Sequence, residues 1–317
     1  MIARTIVCAA AALVVAGLAA GISQATAPGK NGRIAFSRYA LSNTLTAHIV
    51  VANSDGSGQH AVTHTARGYV DDHPYWSPDG SRILFERGCS NNCSRHIWTV
   101  RPDGSGLRRL SPGCSSGAFC PDDVFPAYSP DGRQIAFDSY RGPKTGGYGV
   151  MVADANLRHA HRVASGNAPR WSPDGKQLVF VDQPRSVLSV YVCNSDGSGL
   201  RRITPRRLKV TDHLDWSPDG TRILFAAGPK DRWNLFTIRP DGTGLRQLTH
   251  FRGLTKATPG SYSPDGKSIV FSTVVGAVNP PGSTLTDVFV MTADGRNIRP
   301  ITRTRNWDGE TDWGPRP

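Results

Sequence analysis

Three observations predict an all-β chain built from repeated four-stranded units. The first is a repeated pentapeptide. Trp-Ser-Pro-Asp-Gly occurs at Trp76–Gly80, Trp171–Gly175 and Trp216–Gly220, and Tyr-Ser-Pro-Asp-Gly at Tyr128–Gly132 and Tyr262–Gly266. The second is the apolar run after each copy: Ile83-Leu84-Phe85, Ile135-Ala136-Phe137, Leu178-Val179-Phe180, Ile223-Leu224-Phe225 and Ile269-Val270-Phe271. The third is a further turn in most units, as Asp103-Gly104-Ser105-Gly106, Asp196-Gly197-Ser198-Gly199, Asp241-Gly242-Thr243-Gly244 and Asp294-Gly295. The period runs from 43 residues (Tyr128 to Trp171) to 52 (Trp76 to Tyr128). So regular a repeat sets the architecture before weaker signals are weighed.

In chain order, the first element reads as a secretion signal. Arg4 supplies a positive start, Thr5 to Ala20 are apolar, and Ala25-Thr26-Ala27 offers small residues for cleavage. The apolar run is shorter than the roughly 20 residues that span a bilayer. Residues 1–27 are therefore expected to be removed, leaving 28–317 as one exported domain, periplasmic or extracellular. No later segment is long and apolar enough to cross a membrane. Cys8 lies too early in the run for a lipoprotein cleavage site.

Within each unit, Ser-Pro-Asp-Gly has a mechanism as a turn. Pro fixes φ at the first central position, Ser and Asp bond nearby backbone, and Gly takes the left-handed conformation. The aromatic ahead of it ends strand a, and the apolar triplet after it forms strand b. Strand c follows, as in His96-Ile97-Trp98-Thr99-Val100 or Val288-Phe289-Val290-Met291. Asp-Gly between two β-prone runs then makes a hairpin, and strand d follows, as in Leu107-Arg108-Arg109-Leu110. The 34 Gly and 23 Pro suit a chain of many turns.

Four-stranded units of about 40–50 residues are propeller blades. Gly32-Arg33-Ile34-Ala35-Phe36-Ser37 matches strand b without its leading turn, and Asp312-Trp313-Gly314-Pro315 matches the end of strand a without its following strand. The expected fold is a six-bladed β-propeller of four-stranded antiparallel blades, with the ring closed by the C-terminal strand joining the N-terminal blade.

The Pro-x-Trp-Ser-Pro-Asp-Gly turn, the Ile-x-Phe that follows and the Asp-Gly-Ser-Gly hairpin closely resemble the repeat of the TolB-type β-propeller, also called the WD-like or Pro-Asp repeat. The resemblance covers residues 29 to 316. It implies the propeller domain only, without the α/β domain that precedes the propeller in TolB, because strand b of the first blade starts a few residues after the expected cleavage site. The same repeat occurs in propellers fused to serine peptidases, whose hydrolase domain this chain does not match.

Strand direction sorts the loops onto two faces. The a–b and c–d turns are tight and stereotyped, whereas the b–c loops and blade connections vary, so the latter face is the candidate binding face. It begins basic, with Arg141 and Lys144 in a b–c loop and Arg206, Arg207, Lys209, Arg252, Lys256, Arg303 and Arg305 in connections. It turns acidic just before strand a, with Asp71, Asp72, Asp122, Asp123, Asp212, Asp308, Glu310 and Asp312 at the channel mouth. Both signs together suit oriented recognition, although solvated charge explains the same pattern without a ligand.

Asp72-His73 and Asp212-His213 stand at the same offset from Trp76 and Trp216, three blades apart. They should face each other across the mouth. Asp and His are competent metal ligands, but the width of such a mouth argues against joint coordination, and Asp before a strand commonly bonds local backbone. No cofactor is expected.

Cys89, Cys93, Cys114 and Cys120 lie in two loops of one unit, and export favours disulfides there. Two local pairs (89–93 and 114–120) are slightly preferred to bridges between the loops. Cys193 takes an apolar packing position and reads as an inert core thiol. Gly113-Cys114-Ser115-Ser116-Gly117 fits a hydrolase pattern by coincidence, since it lacks a strand-to-helix setting.

The net charge of +12 favours anionic partners. Export argues against nucleic acid, and the arginines are spread along the chain. Arg108-Arg109, Arg201-Arg202, Arg246 and Arg299 fall on outermost strands, where charge protects an edge from pairing. The expected function is a monomeric, non-catalytic module that recognises a protein or an envelope polymer, anionic where the basic rim engages it. The alternative is a metal-dependent lyase or hydrolase acting on an acidic polysaccharide at the mouth.

Overall fold

The computed structural model describes residues 28–40, 46–89, 93–112, 120–142, 148–184, 187–229, 232–253, 255–275 and 286–317. The expected signal peptide, Lys144, Cys114 and the Gly113–Gly117 motif lie outside them. The described residues are all β, without a helix, and form four-stranded antiparallel units.

The first unit begins with β1 (Asn31–Tyr39), β2 (Ala47–Ala52) and β3 (His60–Ala61). Next come β4 (Tyr69–Trp76), β5 (Ile83–Cys89), β6 (His96–Val100) and β7 (Arg108–Arg109). The third unit holds β8 (Asp122–Tyr128), β9 (Gln134–Tyr140), β10 (Tyr148–Asp154) and β11 (His161–Ser165). The fourth holds β12 (Asn167–Trp171), β13 (Gln177–Asp182), β14 (Ser189–Asn194) and β15 (Arg201–Arg202). The fifth holds β16 (Val210–Trp216), β17 (Ile223–Ala227), β18 (Asn234–Ile238) and β19 (Arg246–Gln247). The sixth set, β20 (Thr255–Tyr262), β21 (Ser268–Val275), β22 (Thr286–Thr292) and β23 (Arg299–Pro300), precedes β24 (Trp307–Pro315). β24 lies antiparallel to β1, with Ile34 opposite Trp313.

The repeat acts as its chemistry requires. In each Ser-Pro-Asp-Gly turn the Ser hydroxyl donates to the Asp carboxylate at 2.6–2.7 Å. The same Asp accepts a backbone N–H two residues on, at 3.0–3.1 Å. The closing Gly sits at φ of 68–70° in all five, a region that costs other L-residues about 1–2 kcal/mol. The Ile-x-Phe phenylalanines, with Phe36 as the equivalent in the first unit, are at most 1% exposed. Burying each contributes roughly 1.5–3 kcal/mol.

Units are also tied to their neighbours. In three units the residue before the strand-end aromatic accepts the backbone N–H of that aromatic's counterpart in the next unit. Tyr262 N–H donates to Asp215 at 2.8 Å, Trp313 N–H to Ser261 at 2.7 Å, and Trp76 N–H to Asp312 at 2.8 Å. The outer arginines do more than guard an edge. Arg201, Arg246 and Arg299 each donate to a c–d turn carbonyl of the neighbouring unit: Pro240, Asp294 and Ser54, at 3.0–3.2 Å.

Cys89 and Cys93 form a disulfide, the local pairing preferred from sequence. Cys120 is also disulfide-bonded. Cys193 is a buried free thiol, pushed up to about 11 by burial and by Asp196.

Candidate functional site

Each strand a carries an irregularity just before its aromatic end. Register with strand b shifts between Asp72 and Tyr75, Val124 and Ala127, Asn167 and Arg170, Val210 and Leu214, and Pro259 and Tyr262, and on β24 between Gly309 and Asp312. Bulges of this kind re-aim a side chain. Three residues before the aromatic stand His73, Phe125, Ala168, His213, Pro259 and Glu310. Four of these are in the left-handed region: His73 (φ 50°), Phe125 (52°), Ala168 (52°) and Glu310 (49°). Strain held in non-glycine residues of four equivalent strands is a mark of functional sites.

The re-aimed side chains meet. The His73 and His213 rings stack at 5.3 Å between centroids, 22° from parallel. Phe125 packs against both, at 4.1 and 5.7 Å. The two Asp-His pairs therefore do face each other, and the expected width that separated them is absent, because the bulges carry both imidazoles inward. Glu310 lies between them: its Oε2 is 2.5 Å from His213 Nε2 and 3.6 Å from His73 Nε2. His213 Nδ1 faces Asp212 at 3.0 Å. His73 Nδ1 faces Glu86 at 3.2 Å and Asp72 at 3.7 Å. Asp72 also accepts the backbone N–H of His73 at 3.0 Å, as expected of an Asp there, and the Tyr39 hydroxyl.

Charge controls this cluster. Burial alone would lower the His73 pKa, but the carboxylates of Asp72, Glu86 and Glu310 reverse it, to about 9. His213 is likewise raised against burial by Glu310 and Asp212. Burial resists ionisation of Glu86 and Glu310, yet the imidazoles hold both below their ordinary value. Asp212 is held well below the usual carboxylate range, chiefly by His213 against burial. Asp138 is the reverse case: burial, then repulsion from Glu86, raises it well above 3.8.

Above the cluster opens a cavity of about 580 Å³. Its lining includes Tyr39, Asp72, Glu86, Arg95, Asp122, Phe125, Asp138 and Tyr148. Arg95 pairs with Glu86 at 3.0 Å, and its backbone N–H donates to Asp122 at 2.6 Å. Tyr148 donates to Asp122 at 2.9 Å. Asp138 Oδ1 is buried without a hydrogen-bond partner.

Other acidic residues named from sequence go elsewhere. All lie within strands rather than in connections, as does Lys256. Asp71, fully buried, forms a two-pronged pair with Arg87 at 2.6 and 2.8 Å. Asp308, also fully buried, does the same with Arg38 at 2.7 and 2.9 Å. Asp123 is buried against Ser139, and Asp312 bonds Trp76. Arg206 and Arg207 are exposed in the connection before β16.

Sequence reasoning missed Glu86, Asp138, Phe125, Tyr39, Arg95 and Tyr148. A signal existed for two. The residue after the strand-b Phe is acidic only as Glu86 and Asp138, against Ser37, Val181, Ala226 and Ser272 elsewhere.

Fold and site together define a propeller-type protein of four-stranded antiparallel sheets, with a titratable cluster on its inner strands. The chain belongs to the TolB beta propeller domain family, whose model matches residues 22–204 and 123–276. An uncharacterized protein of Agrobacterium fabrum is 32% identical over 123 residues, 35% of this chain and 39% of that protein. The Tol-Pal system protein TolB of Anaeromyxobacter dehalogenans is 33% identical over 79 residues, 25% of this chain and 18% of that one. An oligogalacturonide lyase of Pectobacterium atrosepticum is 24% identical over 193 residues, 52% of this chain and 47% of the lyase. The chain thus spans less than half the length of these relatives. Among solved structures, TolB of Acinetobacter baumannii superposes with a TM-score of 0.70 at 18% identity, covering 90% of this chain and 67% of that one. This likeness is one of fold. No helix among the described residues is long and apolar enough to cross a membrane.

Proposed function

We propose that this chain is an exported binding module that recognises a protein or cell-envelope partner through its loop face. In this reading residues 1–27 are cleaved, and 28–317 form one six-bladed ring that β24 closes against β1. It acts in the periplasm or outside the cell, as a monomer. The observation that carries the reading is the cavity of about 580 Å³ lined by Tyr39, Phe125 and Tyr148 with charges of both signs. Aromatic anchors beside a few oriented charges are the composition of binding hot spots. Exposed Arg206 and Arg207 add a basic rim. Kinship with Tol-Pal system TolB proteins supports a protein partner.

The test is capture from cell-envelope extract at low and high salt. The bait would be the mature chain, Tyr148→Ser combined with Arg206→Glu and Arg207→Glu, or Arg133→Glu on the opposite face. A partner held by the parent and by Arg133→Glu but lost with the mouth variant supports the reading. Equal capture by all three, or no capture at low salt, overturns it.

A second reading is a lyase or hydrolase of acidic polysaccharide that uses a bound metal. The two imidazoles at the mouth favour it, as does the similarity to an oligogalacturonide lyase over half the chain. Unsaturated product from polygalacturonate, detected by its ultraviolet absorbance, would support it; none in the presence of divalent metal would exclude that substrate.

A further inference from the structure

We propose that His73, His213 and Glu310 form a divalent transition-metal site, of the zinc class, which clamps three remote segments of the chain together. The inference does not rest on the partner-binding reading.

The ligand atoms of the three residues all lie within 4.8 Å of one another. Two ligands of one tetrahedral ion, each about 2.0–2.1 Å from it, stand about 3.4 Å apart. The gaps from Glu310 Oε2 to the two Nε2 atoms, 2.5 and 3.6 Å, bracket that spacing. Small side-chain rotations would admit an ion.

The polar atoms here find partners only within the cluster. His213 Nε2 and Glu310 Oε2 are buried 2.5 Å apart as an ion pair without hydrogen-bond geometry. A cation between them would replace that ion pair with two coordination bonds.

The outer nitrogens complete the arrangement. Asp212 faces His213 Nδ1 at 3.0 Å, and Glu86 faces His73 Nδ1 at 3.2 Å. A metal-bound imidazole characteristically turns its other nitrogen to a carboxylate, which fixes the tautomer and aims the ligating nitrogen. His213 does so by a hydrogen bond and His73 by proximity alone, its Nδ1 lacking hydrogen-bond geometry to Glu86, and both turn Nε2 toward Glu310. Asp72, His73 and Glu86 form an overlapping triad, but it would use the His73 nitrogen that these carboxylates orient. Four carboxylates surround two imidazoles, a surplus that attracts a cation. Phe125 walls one side of the pair. Two imidazoles and one carboxylate suit zinc and leave a coordination position open.

The three ligands come from β4, β16 and β24. Because β24 pairs with β1, an ion held here ties the C-terminal strand to the middle of the chain as well as to its start. The site would add stability only when that strand is in place.

The experiment uses the full mature chain, stripped with chelator and then titrated with zinc chloride. Calorimetry and thermal melting are read for the parent, His213→Ala, Glu310→Gln and Asp212→Asn. The proposal expects one zinc per chain and a melting temperature that rises with zinc concentration. His213→Ala and Glu310→Gln should abolish both effects. Asp212→Asn, which leaves every ligand in place, should weaken affinity by about 10–100-fold. If a ligand variant fails to fold, Asp212→Asn and the parent still decide. No stoichiometric zinc binding by the folded parent overturns the proposal, as does unchanged affinity in Asp212→Asn or in a folded ligand variant.

Discussion

Replacing Asp215 with Asn should stabilise the protein, and only above acidic pH. Asp215 is 2% exposed, and one carboxylate oxygen accepts the Tyr262 N–H across a unit boundary. Burial pushes its pKa from 3.8 up to about 8; the Tyr262 bond opposes this, repulsion from Asp312 adds to it, and Arg170 offsets a part. A group whose folded pKa is raised contributes its stability fully below the unfolded value. That stability is lost as pH rises through the folded one. Here the loss runs from about pH 4 to about pH 8. Four units at about 1.4 kcal/mol each set a ceiling of about 6 kcal/mol. Asn keeps the carbonyl acceptor for Tyr262 and carries no charge. The substitution should therefore gain about 2–6 kcal/mol at pH 9 and almost nothing near pH 4. Urea unfolding followed by tryptophan fluorescence at several pH values measures it. A variant less stable than the parent at pH 9 would show instead that Arg170 sustains an ionised Asp215. A difference independent of pH would equally contradict a raised pKa for Asp215.

Two further outcomes follow from buried or cross-linked groups. Arg87→Ala strips Asp71 of its two-pronged partner and Trp98 of a cation 4.7 Å from its ring. Leaving that carboxylate buried without its cation should cost about 3–5 kcal/mol in urea unfolding, and Arg87→Lys should recover only part of it. Cys89→Ser opens the short loop to Cys93. Chain entropy puts the loss at about 2 kcal/mol, measured on the oxidised protein.

The scaffold was legible because its chemistry is local. Pro78, Asp79 and Gly80 specify a turn by themselves, and the identical geometry of five such turns confirms that reading. The outer arginines were placed on the right strands, but their bonds to neighbouring turns need two units side by side. The site was half legible. Asp72-His73 and Asp212-His213 were found by their offset from Trp, while Glu310, at that same offset from Trp313, was grouped only by its charge. What hid the cluster was the bulge: a period-2 reading of strand a gives no sign that one residue there is re-aimed inward. Asp71, Asp123 and Asp308 looked like the same acidic surface. Their burial against Arg87, Ser139 and Arg38 depends on cross-strand register, which connection lengths do not encode.

In the proposed function, recognition happens where the inner strands converge, on the face opposite the Ser-Pro-Asp-Gly turns. Hydrogen exchange of the mature chain, with and without its captured partner, tests this most directly. Exchange should slow at residues 70–73, 122–125, 210–213 and 307–310, with the turns at 77–81 and 217–221 unchanged. Slowed exchange confined to those turns would contradict it.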